Sequence, residues 1–149
     1  MILTDDLKKQ TVDQLNSFLR GELSAAETYR QAIAKLPTSS ARPVLEDCAR
    51  SHEERASMLV REVRRLGGDP AQDSGAWGSF VKLLEGGAQL FGEKAAIAIL
   101  EEGEDHGRND YQRDLPDLEP KAKSVVVTQI LPEQLRTHSA ISSLKKNLS

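Results

Sequence analysis

Proline and glycine cut this chain into a few segments, each far longer than a β-strand. The breaks are PTSSARP (37–43), GGDP (67–70) and the pair Pro116 and Pro120. Proline cannot continue a helix and restrains the residue before it, while glycine supplies the left-handed turn that ends one. Between the breaks, inward residues return every three or four positions. Leu15, Phe18, Leu19, Glu22, Ala25, Ala26, Tyr29, Ile33 and Leu36 form the first stripe. Leu45, Cys48, His52, Arg55, Leu59, Val63 (or Glu62) and Leu66 form the second, and Val127, Ile130, Gln134, Thr137, Ile141, Leu144 and Leu148 the last. That period belongs to amphipathic helices. The predicted helices span about 11–36, 42–66, 76–90, 93–115 and 121–148, with Thr11 or Asp13 starting the first.

Two stretches test this reading. SVVVTQIL (124–131) has strand propensity, but the helical pattern continues on both sides and no second β segment exists to pair with it. Pro132 lies inside the last helix and frees the carbonyl of Thr128, so a kink is expected there. In the short helix Trp77, Phe80, Val81 and Leu84 make the apolar face, Gly86-Gly87 weakens it and Gly92 ends it. The fold class is therefore all-α: a single bundle domain of four long helices, with a short extra helix between the second and third.

Twenty basic against twenty-three acidic residues give a net charge of -3, which argues against nucleic acid as a partner. The lone Cys48 cannot form an internal disulfide, which fits a reducing cytoplasm. MILTDDLKK lacks the apolar core of a signal peptide, and no apolar run nears the roughly 18–20 residues of a membrane span. A cytoplasmic protein with no membrane partner is expected.

The chemistry concentrates in AAIAILEEGEDHGRNDY (95–111), where an apolar helix turns acidic. Ala95, Ala98, Glu102, Asp105 and Asn109 fall on one stripe, which would carry two carboxylates inward. A buried carboxylate must be paired, hydrogen-bonded or bound to a cation. Di-metal bundles place one Glu on each of two helices and Glu-x-x-His on the other two, because i,i+3 spacing aims two ligands at one point. The candidate ligands here are Glu22, His52, Glu102, Asp105 and His138, of types that suit iron, manganese or zinc. Three residues before His52 and His138, however, stand Ala49 and Leu135, and Arg55 shares the stripe of His52. The competing expectation is a structural layer with a Glu22–Arg55 ion pair and a hydrogen-bonded His52. Tyr29 and Tyr111 have hydroxyls that could reach the carboxylates, and Gly103 and Gly107 would let a neighbouring helix approach. No phosphate-binding glycine loop is present and no catalytic triad can be placed by spacing alone, and the incomplete Glu-x-x-His pattern leans against an enzyme without deciding it. An exposed Trp77/Phe80 face would suit self-association or another protein partner.

LNSFLRGELSAAETYRQAI, SHEERASMLVREVRRLGGDP, AAIAILEEGEDHGRNDYQ and LPEQLRTH together resemble the uncharacterised bacterial ferritin-like four-helix-bundle proteins. RRLGGDP, EEGED and LPEQLRTH are the most specific pieces. The resemblance implies a ferritin-like antiparallel four-helix bundle, a homodimer and a bacterial cytoplasm, with no settled activity. Glu22, Glu102 and His138 carry over from the ferritin-type pattern, while Ala49, Leu135 and Arg55 depart from it. The expected role is non-catalytic, in stress or scaffolding. The alternatives are a metal-binding bundle and a module that binds a protein partner.

Overall fold

The computed structural model describes residues 4–74 and 78–148, with backbone alone for 78–91. Helix α1 runs Asp5–Lys35, α2 Arg42–Arg65 and α3 Gly78–Asp114. A single 3₁₀ turn, Leu115–Asp117, leads to α4, Pro120–Val125. A wide π turn, Val126–Ile130, joins α4 to α5, Leu131–Asn147. The described residues contain no strand, so SVVVTQIL is helical as its flanks predict. The Trp77/Phe80 face lies outside the residues whose side chains are described.

Helix α1 begins six residues before the expected position 11. Thr4 is the cap: its Oγ1 accepts the Leu7 amide at 3.1 Å, and Asp5 and Asp6 face the positive end of the helix dipole. Helix α2 ends at the two glycines. The Gly67 amide reaches the Arg64 carbonyl and the Gly68 amide the Val63 carbonyl, and Gly67 takes φ +81°. The second glycine is needed for space, because a Cβ there would lie 2.6 Å from Val12 of α1. Gly92, at φ +77°, breaks α3 into two helical stretches, so the expected boundary at 92 is present.

The last helix carries its own irregularity. Ala122, Val126, Ile130 and Gln134 are all buried although each step is four residues. Twelve residues of regular α-helix would carry that face about 120° off. The π turn absorbs one residue and brings the face back, with the Leu131 amide bonding the Val126 carbonyl. The proline effect expected at Pro132 takes this form, a widened turn just before the ring.

Helix α1 packs against α2 and α3, and α3 against α5. Two apolar clusters result. One gathers Ile33, Leu45, Cys48, Ile97, Leu100 and Ile141; the other gathers Leu15, Leu19, Leu59, Val63, Val126 and Ile130. Each fully buried aliphatic side chain contributes about 1.5–3 kcal/mol, so these clusters hold the helices together. The polar side chains that share their stripes carry the chemistry.

Candidate functional site

Helix α3 turns a different face inward from the one the Ala95–Ala98 spacing predicts. Ala96, Ile97, Leu100, Glu104 and Tyr111 are buried, whereas Glu102 and Asn109 are exposed. The inward phase is set by the larger apolar side chains, Ile97 and Leu100, because they remove more surface from water than alanine does. Glu104 is the carboxylate this phase buries, at 2% exposure.

Glu104 meets His52 of α2, whose Nε2 lies 2.7 Å from Glu104 Oε2. The other ring nitrogen, Nδ1, lies 2.6 Å from Glu22 Oε2 on α1. Both nitrogens face carboxylates, so the ring carries two protons and donates to each side. Tyr29 of α1 donates to Glu104 at 2.6 Å, and Tyr111 of α3 donates to Glu22 at 2.8 Å. The result is one continuous chain, Tyr29–Glu104–His52–Glu22–Tyr111, that crosses between α1 and α3 on either side of the imidazole. Tyr29 also stacks on His52 with ring centres 5.3 Å apart.

Arg55, one turn beyond His52, is wholly buried. Its guanidinium donates to Gln134 Oε1 at 2.5 Å, Thr137 Oγ1 at 3.1 Å and the Ser51 carbonyl at 3.3 Å, with Glu22 Oε2 at 3.6 Å. The expected Glu22–Arg55 ion pair is thus present, but the stronger bonds go to α5. Gln134 and Thr137 pass the contact on, each donating to Glu104 Oε1 at 3.0 and 2.8 Å. Every buried side-chain polar atom among the described residues has a partner.

The electrostatics follow. Burial alone would raise the Glu104 pKa, but the His52 charge, the hydrogen bonds from His52 and Tyr29 and the Arg55 charge bring it down to about 2. Glu22 is lowered for the same reasons, burial opposing and Arg55 and His52 prevailing. For His52, burial pulls the pKa down and the two carboxylates push it above its ordinary value. Two carboxylates, one imidazolium and one guanidinium leave the layer neutral. Cys48 nearby is pushed up to about 12, chiefly by burial, so its thiol stays protonated and inert.

The five predicted ligands fall into three places. Glu22 and His52 are in the layer. Asp105 and His138 pair at the surface, with Oδ1 2.5 Å from Nε2 and the Asp105 side chain 47% exposed. Glu102 points to solvent. The layer does not fit a metal ion, because its two carboxylates bind opposite nitrogens of one ring and a guanidinium stands beside them. Among the described residues, no three His, Cys, Asp or Glu side chains converge as ligands of one ion.

Glu104 and the two tyrosines of the layer had a signal in the sequence. GELSAAETY (21–29) and GEDHGRNDY (103–111) are two copies of one pattern, Gly-Glu-x₆-Tyr. The first copy places Glu22 and Tyr29 on the inward face of α1, and the second does the same for Glu104 and Tyr111 on α3. Gly107 in the second copy makes room for α5, since a Cβ there would lie 3.1 Å from the Gln134 side chain. Small residues of both copies, Gly21, Ala25 and Gly103, line two cavities of about 30 Å³ that border the layer.

Residues 10–117 match the model of a protein family described as a domain of unknown function (DUF2383). No curated protein matches the chain, and no solved structure does.

Proposed function

The chain belongs to the DUF2383 family, whose function is unknown, and from that premise we propose a non-catalytic, ferritin-like antiparallel four-helix bundle that serves as a rigid scaffold. It holds one shape and offers its outer faces to a second copy or to another protein, in a stress or scaffolding role in a bacterial cytoplasm. The observation that carries this reading is the closed layer. Its four charges cancel and its buried side-chain polar atoms are all partnered. A group meant to bind substrate or transfer protons leaves a donor or acceptor open to its target; these are spent on one another, which suits register and rigidity.

The alternative is a bundle that binds iron, manganese or zinc through Glu22, His52, Glu102, Asp105 and His138. Two of its contacts, Glu22–His52 and Asp105–His138, support it. The exposure of Glu102 and the guanidinium of Arg55 weigh against it. Elemental analysis of protein purified without chelator, with melts in added Fe(II), Mn(II) and Zn(II), decides between the two. The scaffold reading expects no stoichiometric metal and no rise in melting temperature. Stoichiometric metal with a raised melting temperature overturns it. Sedimentation at several concentrations tests the dimer.

A further inference from the structure

The layer has the frame of a di-metal site with the wrong side chains in it. Glu22 and Glu104 occupy matching positions of the repeated nonapeptide on α1 and α3, one inward carboxylate on each. The other two helices contribute i,i+3 pairs to the same layer, His52 with Arg55 on α2 and Gln134 with Thr137 on α5. In di-metal bundles those two pairs are Glu-x-x-His. Here one pair supplies two cations and the other supplies neutral hydrogen-bonding groups.

The guanidinium is ringed by oxygen atoms: Gln134 Oε1, Thr137 Oγ1, the Ser51 carbonyl and, at 3.6 Å, Glu22 Oε2. Carboxylate, amide, hydroxyl and carbonyl oxygens are the donors that a hard cation takes. We propose that Arg55 is the resident cation of this layer, its guanidinium standing where a metal ion would otherwise be held. The protein as it exists is closed to metal for that reason. Shortening Arg55 leaves two carboxylates facing one imidazolium and frees the oxygen atoms that it occupied. A small cation from solution then has both a place and a charge to neutralise.

This inference rests on the metal-free reading above, and one experiment separates them. Wild type, Arg55→Ala and Arg55→Lys are melted with no addition and with 1 mM Mn(II), Zn(II) or ethylguanidinium, about that concentration being ample for a micromolar site. Wild type and Arg55→Lys are expected to be indifferent to all three. Arg55→Ala is expected to melt lower and to be restored by at least one of them. A site with a Kd of about 10 μM shifts its folding equilibrium roughly 100-fold. If Arg55→Ala does not fold unaided, recovery of its helical circular dichroism on refolding with the same ions is the readout. Failure of all three ions to restore the alanine variant, or equal response by the lysine variant, overturns the resident-cation role alone. A metal response in wild type overturns the metal-free reading with it.

Discussion

Two acid–histidine contacts sit one residue apart on α3 and have opposite consequences. Glu104 turns inward to His52 at 2.7 Å, and both side chains are almost completely buried. Asp105 turns outward to His138 at 2.5 Å, with nearly half its side chain in water. Both contacts join an imidazole nitrogen to a carboxylate oxygen. Burial differs, and burial decides how much is lost when one partner goes. An exposed pair is worth about 0–1 kcal/mol, because water and salt replace either member. Breaking a buried pair costs about 3–5 kcal/mol, because the charge left behind has no solvent to turn to.

Mutants should spread along that scale. Glu104→Gln is expected to cost most, about 3–5 kcal/mol by urea unfolding, since it strips charge from the group that meets His52, Tyr29, Gln134 and Thr137. A loss under about 1 kcal/mol would mean that the buried layer behaves like the surface pair. Glu22→Gln should cost less, about 1–3 kcal/mol, because Arg55 keeps Gln134 and Thr137 as partners and lies 3.6 Å from Glu22. An equal or larger loss than for Glu104→Gln would reverse the order of the two carboxylates.

The layer also sets a pH window. Glu104 falls from an ordinary 4.5 to about 2, so its contribution of roughly 3 kcal/mol is complete above 4.5 and is lost as pH drops through 2. His52 is raised above its ordinary 6.5, so its contribution is complete below 6.5 and fades as pH climbs through the folded value. The layer therefore stabilises most between 4.5 and 6.5. Chemical denaturation across that range should show stability declining on both sides, and a rise from neutral to alkaline pH would contradict the charged state of His52. The smallest effects belong to the outer face. Asp105→Asn is expected to cost under about 1 kcal/mol and to vanish in high salt, and Glu102→Gln to stay within about 0.5 kcal/mol of wild type. A salt-insensitive loss at Asp105 would give that pair a structural weight its exposure does not suggest.

Much of this arrangement was legible in the residues. The helices follow from proline and glycine placement and from the three- and four-residue recurrence of apolar side chains. Glu22, His52, Arg55 and Gln134 were visible because they interrupt otherwise apolar stripes. Helix α3 was read with the wrong face inward, since its alanines fit two faces equally and only Ile97 and Leu100 weight one of them. Choosing Glu102 over Glu104 followed from that. The early start of α1 was missed because Thr4, Asp5 and Asp6 act through capping and the helix dipole rather than through periodicity. The widened turn at 126–130 was hidden for a different reason: Pro132 announces a disturbance but not its direction.

That turn makes the bundle tolerant of a change in length. It stores one surplus residue, and its widening is what keeps Gln134 and Thr137 on the face of Ala122 and Val126 while the surplus is present. Deleting Thr128, whose side chain is exposed, would let the turn close to a regular α-helical one. The shortened segment from Ala122 to Gln134 would then end only about 20° off, so everything after the deletion would keep its face and move by about 1.5 Å along the axis. A one-residue gap in an alignment at this point would therefore mark the loss of the widened turn and not a change of face.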